Sequence, residues 1–222
     1  MPENKTFVKI CGITSIEQAV QIALLGIDAI GIISVEESPR YVSQEKKQQI
    51  FMTLENLFPD VERVTVVKNK PIDFIFKNFF NDPLETVLQL HGDEDIDYCR
   101  NLKEKLPNLI IWKAFRIKNK EDIQEIKLYE DYVDAILLDS WNEETYGGSG
   151  KKIEQKFLKD LRFNKPWWLA GGVSKVWINE ILNDIKPDGI DISSSIEISP
   201  GFKDIKKTEE IMREINKYQL FY

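Results

Sequence analysis

The chain has 222 residues, a formal net charge of -7 and a sequence pI near 5.0. With 42% hydrophobic and 30% charged residues it has the composition of a globular protein with a sizeable core, not of a disordered or fibrous chain. The acidic balance counts against nucleic acid or an anionic membrane as a partner, since both select a basic surface. No apolar run approaches the roughly 18 residues of a membrane span. The N-terminal MPENKTFVKIC has no secretory apolar stretch. Two cysteines, Cys11 and Cys99, make no disulfide framework, and a single histidine, His91, excludes a multi-histidine metal site. A cytoplasmic protein with no metal is the expectation.

In chain order, apolar runs alternate with longer charged segments. Phe7–Cys11 (FVKIC) reads as a strand and Ile16–Gly26 (IEQAVQIALLG) as a helix, with Thr14/Glu17 or Ser15/Gln18 as a candidate capping box. Ala29–Ile33 (AIGII) leads to the helical SQEKKQQIFMTLENL, Arg63–Val67 (RVTVV) to IDFIFKNFF, and Thr86–Leu90 (TVLQL) to EDIDYCRNLKEKL. Leu109–Phe115 (LIIWKAF) precedes EDIQEIKLY, and Ala135–Asp139 (AILLD) precedes IEQKFLKDL. Trp167–Gly171 (WWLAG) precedes KVWINEILNDI, and Gly189–Ser193 (GIDIS) precedes KKTEEIMREINKY. The strands are almost continuously apolar, as strands buried on both faces are. Eight strand–helix repeats, starting about 20–35 residues apart, predict an α/β fold, a single-domain (β/α)8 TIM barrel over residues 1–222. A doubly wound open sheet is the alternative, though such sheets seldom need eight regular repeats.

Barrels of this type keep their chemistry at the carboxyl ends of the strands, with phosphate bound after strands seven and eight. Cys11 ends the first run and is followed by Gly12, which permits close backbone approach. Asp139 ends the sixth; an apolar surrounding there would favour its protonated form and suit it to donate a proton. Asp191, inside the eighth run, is a second rim carboxylate. Arg40, in SPRY, is placed to fork onto a carboxylate. Gly171 and Gly172 after strand seven, with Ser193, Ser194 and Ser195 after strand eight, occupy the two places a barrel phosphate site requires. YGGSGK (Tyr146–Lys151) is not a P-loop, because Lys152 stands where Ser or Thr is needed; it reads as a lid. Cys99 falls mid-helix and reads as a small core residue.

In this order KICGIT, SPRY, QLHGDE, LLD with YGGSGK, LAGG and DISSS-IE-SPG resemble phosphoribosylanthranilate isomerase, from about Lys9 to the last helix. The resemblance implies an Amadori rearrangement in tryptophan biosynthesis. N-(5-phosphoribosyl)anthranilate becomes 1-(2-carboxyphenylamino)-1-deoxyribulose 5-phosphate, with no cofactor. It implies Cys11 as general base and Asp139 as general acid. It also implies Arg40 on the anthranilate carboxylate, Gly171, Gly172 and Ser193–Ser195 on the phosphate, and His91 in a positioning role. A thiol base must ionise, and its ordinary pKa near 8.5 leaves it mostly protonated at neutral pH. A positive neighbour is therefore expected, with Lys9 a candidate if it points into the barrel. The partner is a small phosphosugar–anthranilate; monomer and homodimer both stay open.

Three departures from the family pattern stand out. Glu36 and Glu37 replace its usual lead into SPR, so the charge near Arg40 is altered. Ser195 replaces a usual glycine and would be strained if that residue needs positive φ. Lys68 stands at a usually apolar place and is expected to be simply exposed. Indole-glycerol-phosphate synthases have a longer N-terminal segment and a Lys/Glu catalytic set; ribulose-phosphate epimerases need histidines absent here. The histidine-pathway isomerase carries aspartate in place of Cys11. A barrel that only senses a sugar phosphate is the rival from a different class, and would need neither Cys11 nor Asp139.

Overall fold

In a computed structural model the described residues are 5–79, 84–117, 121–140 and 158–221. Eight parallel strands close in sequence order, β1 pairing with β2 and also with β8. They are β1 (Phe7–Cys11), β2 (Ala29–Ile33), β3 (Glu62–Val67), β4 (Val87–Leu90), β5 (Ile110–Ile117), β6 (Ala135–Ser140), β7 (Trp167–Ala170) and β8 (Gly189–Ile192). Each boundary lies within two residues of the apolar run that predicted it, and the open-sheet alternative falls with closure.

The helices coat the outside. They are α1 (Ile16–Ala23), α2 (Gln44–Leu57), α3 (Ile72–Phe79), α4 (Ile96–Lys105) and α5 (Glu121–Lys127), then α6 (Ile178–Glu180) and α7 (Ile205–Phe221). Ser15, Ser43 and Asp95 cap α1, α2 and α4 through their side-chain oxygens. The cap of α1 is not a reciprocal box, because Gln18 turns its amide away to Lys203. The segment predicted as one helix over KVWINEILNDI winds as α6 and then as a π-helix, Ile181–Ile185, ending at Lys186 with φ 54°. Most of IEQKFLKDL and the whole YGGSGK loop lie outside the described residues. No described helix is long and apolar enough to cross a membrane.

Two apolar layers follow from the period of two along each strand. Val8, Ile10, Ile30, Ile32, Leu88, Leu90, Ile136, Leu138, Ile190 and Ile192 face outward into the helix layer. Cys11, Ala29, Val64, Val66, Val87, Trp112, Ala114, Ala135, Leu137, Trp168 and Ala170 face inward. The amino end of the barrel is plugged by aromatics: Trp112 and Trp168 have ring centroids 4.6 Å apart, and Phe7 packs on Trp168 at 6.3 Å. That plug needs a missing side chain on β8. A Cβ on Gly189 would stand 2.3 Å from the Trp168 ring.

Gly189→Ala is therefore expected to destabilise the barrel by about 1–3 kcal/mol, the usual penalty of overpacking. Urea denaturation followed by tryptophan fluorescence measures it.

Candidate active site

The inward-facing residues at the carboxyl ends of the strands form the mouth opposite the aromatic plug. Cys11 is last on β1, and Lys9 two residues earlier shares its inward face. Lys9 is fully buried, and its Nζ donates to both oxygens of Asp191 on β8 at 3.0 Å. The room for this comes from β2. A Cβ on Gly31 would lie 2.8 Å from Cys11 Sγ and 3.0 Å from Lys9 Nζ. Burial pushes the Cys11 thiol up; the ammonium of Lys9 works against that rise, Asp191 adds to it, and Lys203 also lowers. The expected positive neighbour is present, and in the ligand-free protein burial outweighs it.

Asp139 belongs to the same inward face as Ala135 and Leu137 on β6. Its surroundings are not the apolar ones the sequence suggested. The side chain is 30% exposed, and Oδ2 lies 3.5 Å from His91 Nε2. The Gln89 amide nitrogen sits 3.2 Å from His91 Nδ1. With Nδ1 accepting that bond the ring proton is on Nε2, aimed at Asp139. The His91 corner is braced from outside the barrel. Glu94 accepts from the backbone N–H groups of Asn69 and Gly92 and pairs with Lys113 at 3.1 Å, and Lys113 also donates to the Gly92 carbonyl. Beside His91 a cavity of about 260 Å³ opens, lined also by Lys68, Phe115, Arg116 and Tyr129. Lys68 is exposed, as expected, and lines this cavity.

Arg40 is turned toward Glu197, its Nε donating to Oε1 at 2.8 Å and its Nη2 to Oε2 at 2.5 Å. Glu197 also accepts from Lys203 Nζ at 2.8 Å and from the Gly201 N–H at 3.0 Å. Burial raises the Glu197 carboxyl, but the bonds from Arg40, Lys203 and Gly201 prevail and hold it at about 2. Glu36 and Glu37 are exposed, so the carboxylate that meets Arg40 comes from the far end of the chain. Glu197 begins a small hairpin, β9 (Glu197–Ser199) with β10 (Phe202–Lys203), that follows β8.

Gly171 and Gly172 follow β7 with φ 79° and 67°, a left-handed pair that other residues enter only at a cost. Ser194–Ile196 form one 3₁₀ turn after β8, facing them. Ser195 Oγ donates to the Val173 carbonyl, tying the two loops together. Ser193 Oγ donates to the Cys11 carbonyl at 3.0 Å, tying β8 to β1. The Ser193 and Ser195 hydroxyl protons are thus already engaged, and Ser194 is exposed. The strain expected at Ser195 does not arise: among the described residues only Asn69 and Lys186 have positive φ without being glycine.

Cys11, Asp139, His91, Arg40, the glycine pair and the serine turn all lie at the carboxyl ends of the strands or in the loops that follow them. Sequence reasoning gave no role to Glu197 or Lys203. The Glu197 signal was the IE after DISSS; Lys203, in GFKD, reads as an ordinary solvated lysine until the hairpin folds it under the serine turn.

A closed parallel barrel with ionisable groups at the carboxyl ends of its strands, and glycine and serine turns after strands seven and eight, has the layout of a phosphate-binding barrel enzyme. The family model for N-(5'-phosphoribosyl)anthranilate (PRA) isomerase matches residues 8–214. The N-(5'-phosphoribosyl)anthranilate isomerase of Crocosphaera subtropica is 39% identical over 210 residues, 95% of this chain and 98% of that protein. That of Nostoc punctiforme is 40% identical over 208 residues, 94% and 97%. Among solved structures, the phosphoribosyl anthranilate isomerase of Thermotoga maritima superposes with a TM-score of 0.82 at 31% identity, covering 96% of this chain and 99% of that one. A structure of phosphoribosyl anthranilate isomerase in complex with reduced 1-(o-carboxyphenylamino)-1-deoxyribulose 5-phosphate gives 0.77 at 27%, with the same coverage. This chain belongs to the phosphoribosylanthranilate isomerase family and is an isomerase of tryptophan biosynthesis.

The charge hub at Glu197 has a pH signature. Its carboxyl titrates at about 2 in the fold against an ordinary 4.5, so the stability it supplies is present above about pH 4.5 and lost as pH falls toward 2. Glu197→Gln should be less stable than the wild type at neutral pH and should lose less on acidification between those limits, as read by denaturant midpoints across pH.

Proposed function

We propose that Cys11 and Asp139 are the base and acid of this isomerisation. The observation that carries the proposal is their placement on the inward faces at the carboxyl ends of β1 and β6, opening on one mouth. The reaction needs one proton delivered and one removed. Asp139 gives a proton to the furanose ring oxygen, the C1′–O bond breaks, and the nitrogen lone pair forms an iminium. The iminium charge acidifies C2′–H, and the Cys11 thiolate takes that proton, leaving an enolamine. Tautomerisation yields the ketone. Each proton step by a placed side chain is worth about 100- to 10,000-fold. His91, tethered to Gln89, orients Asp139 and takes no proton from the sugar.

Binding divides among the other groups. The Nε–Nη2 edge of Arg40 is occupied by Glu197, which fixes the plane of the guanidinium; its Nη1 edge is the one offered to the anthranilate carboxylate. Because the Ser193 and Ser195 hydroxyls donate elsewhere, the phosphate is held by backbone N–H groups of Gly171, Gly172 and the serine turn, with the Ser194 hydroxyl. A single barrel then carries the whole site, and its partner is a small phosphosugar–anthranilate with no organic cofactor.

The raised thiol makes a directional statement about pH. The active form needs Cys11 ionised, so kcat/KM should climb with pH through the alkaline side of neutrality. Cys11→Ala and Asp139→Asn should each lower turnover of freshly generated phosphoribosylanthranilate by at least about 100-fold. Binding of a reduced product analogue should be nearly unchanged in both. Activity retained in either variant removes that residue from the assignment; analogue binding without any turnover in the wild type favours a sensor.

A further inference from the structure

Lys9 is a fully buried cation beneath the reacting thiol, and the chemistry above leaves it unused. It is fully buried on the inward face of β1, two residues from Cys11, and it is held from the far side by both oxygens of Asp191 at 3.0 Å. Gly31 supplies the space in which ammonium and sulfur meet, since a single added Cβ would collide with both. A lysine costs several kcal/mol to bury as a cation and is tolerated only with a partner. Apolar side chains fill much of the rest of the barrel interior, so packing alone gives no reason for a cation at this level. Resting on the assignment of Cys11 as base, we infer that Lys9 is a positioning residue: held by Asp191, its ammonium is the counter-charge that lets the Cys11 thiolate exist inside the barrel.

The charges facing Cys11 can be named by element. β1 supplies Lys9, β8 supplies Asp191, and β10 supplies Lys203, whose own charge is committed to Glu197 at 2.8 Å. Arg40, in the loop after β2, is likewise committed to Glu197, and β2 itself presents only Gly31. Of the two lysines that face the thiol, Lys9 alone has a carboxylate that also faces it. When the thiol ionises, the pair becomes a three-centre group in which one ammonium serves two anions. The thiol proton leaves to solvent through the mouth before the sugar binds, and the thiolate then accepts the C2′ proton.

The test titrates the ligand-free protein, so it needs no turnover. Thiolate absorbance in the ultraviolet is followed against pH, with Cys11→Ser as the blank. Cys99, pushed up to about 12 by burial, stays silent across the range. In Lys9→Gln/Asp191→Asn, which removes the pair as a neutral couple, the Cys11 midpoint should rise by at least about one pH unit, a tenfold loss of thiolate below it. In Asp191→Asn alone it should fall, because the thiolate becomes the only buried anion for Lys9. The rising limb of kcat/KM should move with the midpoint in the double variant. An unmoved or lowered midpoint in the folded double variant overturns the inference. Should that variant not fold, an unmoved or raised midpoint in Asp191→Asn overturns it instead. A shifted thiol in a protein with no isomerase activity sinks the assignment of function but leaves the electrostatic role standing; normal activity with an unshifted thiol does the reverse.

Discussion

A closed parallel barrel has an inside that must be filled, and every inward side chain is set by the two-residue period of its strand. That constraint organises the molecule. At the amino end the filling is bulky: Phe7, Trp112 and Trp168 stack across the axis, with Gly189 vacated to admit the indole. One step up the axis the filling is small or charged, with Ala29, Gly31, Lys9 and Asp191. At the carboxyl end it becomes a mouth. Chemistry at that end is thus a consequence of how volume is distributed, because an aromatic plug at one end leaves polar groups only the other in which to reach water and substrate.

Charge around the thiol is organised as two closed units. Lys9 with Asp191 lies under the thiol, and Glu197 with Arg40 and Lys203 lies beside it. Each unit joins segments far apart in sequence, β1 to β8 in one and the loop after β2 to the β9–β10 hairpin in the other. Breaking one partner of such a unit leaves a buried charge without compensation, which costs far more than the pair contributes. The consequence for function is geometric. Arg40 is held by its Nε–Nη2 edge, so a long flexible side chain is already ordered in the ligand-free protein.

The fold was legible because strand burial writes itself into composition. All eight apolar runs became strands, and their spacing specified the crossover helices. What failed locally failed for tertiary reasons. Gln18 has the spacing of a capping partner, yet its amide is better used on Lys203, 185 residues away. KVWINEILNDI has helical periodicity, which says nothing about whether its second half winds as α or π. Among the rim residues, those ending strands were visible from position alone: Cys11, Asp139, Gly171 and Gly172. Lys9 required strand parity, and Glu197 and Lys203 required a hairpin whose two strands are only two or three residues long.

The departures from the family pattern show how such a site tolerates change. A serine at 195 would be costly only if its backbone had to be left-handed, and it is not: in the loops after β7 and β8 the left-handed backbone falls on glycines, Gly171, Gly172 and Gly201. The 3₁₀ turn takes Ser195 without strain and gains a hydroxyl that bonds Val173, so the substitution adds a tie between the loops after β7 and β8. Glu36 and Glu37 add negative charge near Arg40 in sequence, but both are exposed and screened, while Glu197 is buried against the guanidinium and dominates it. The positions free to vary are those whose role is served by backbone or by solvent. Lys9 is placed differently: replacing it by a neutral residue leaves Asp191 as an uncompensated charge inside the barrel.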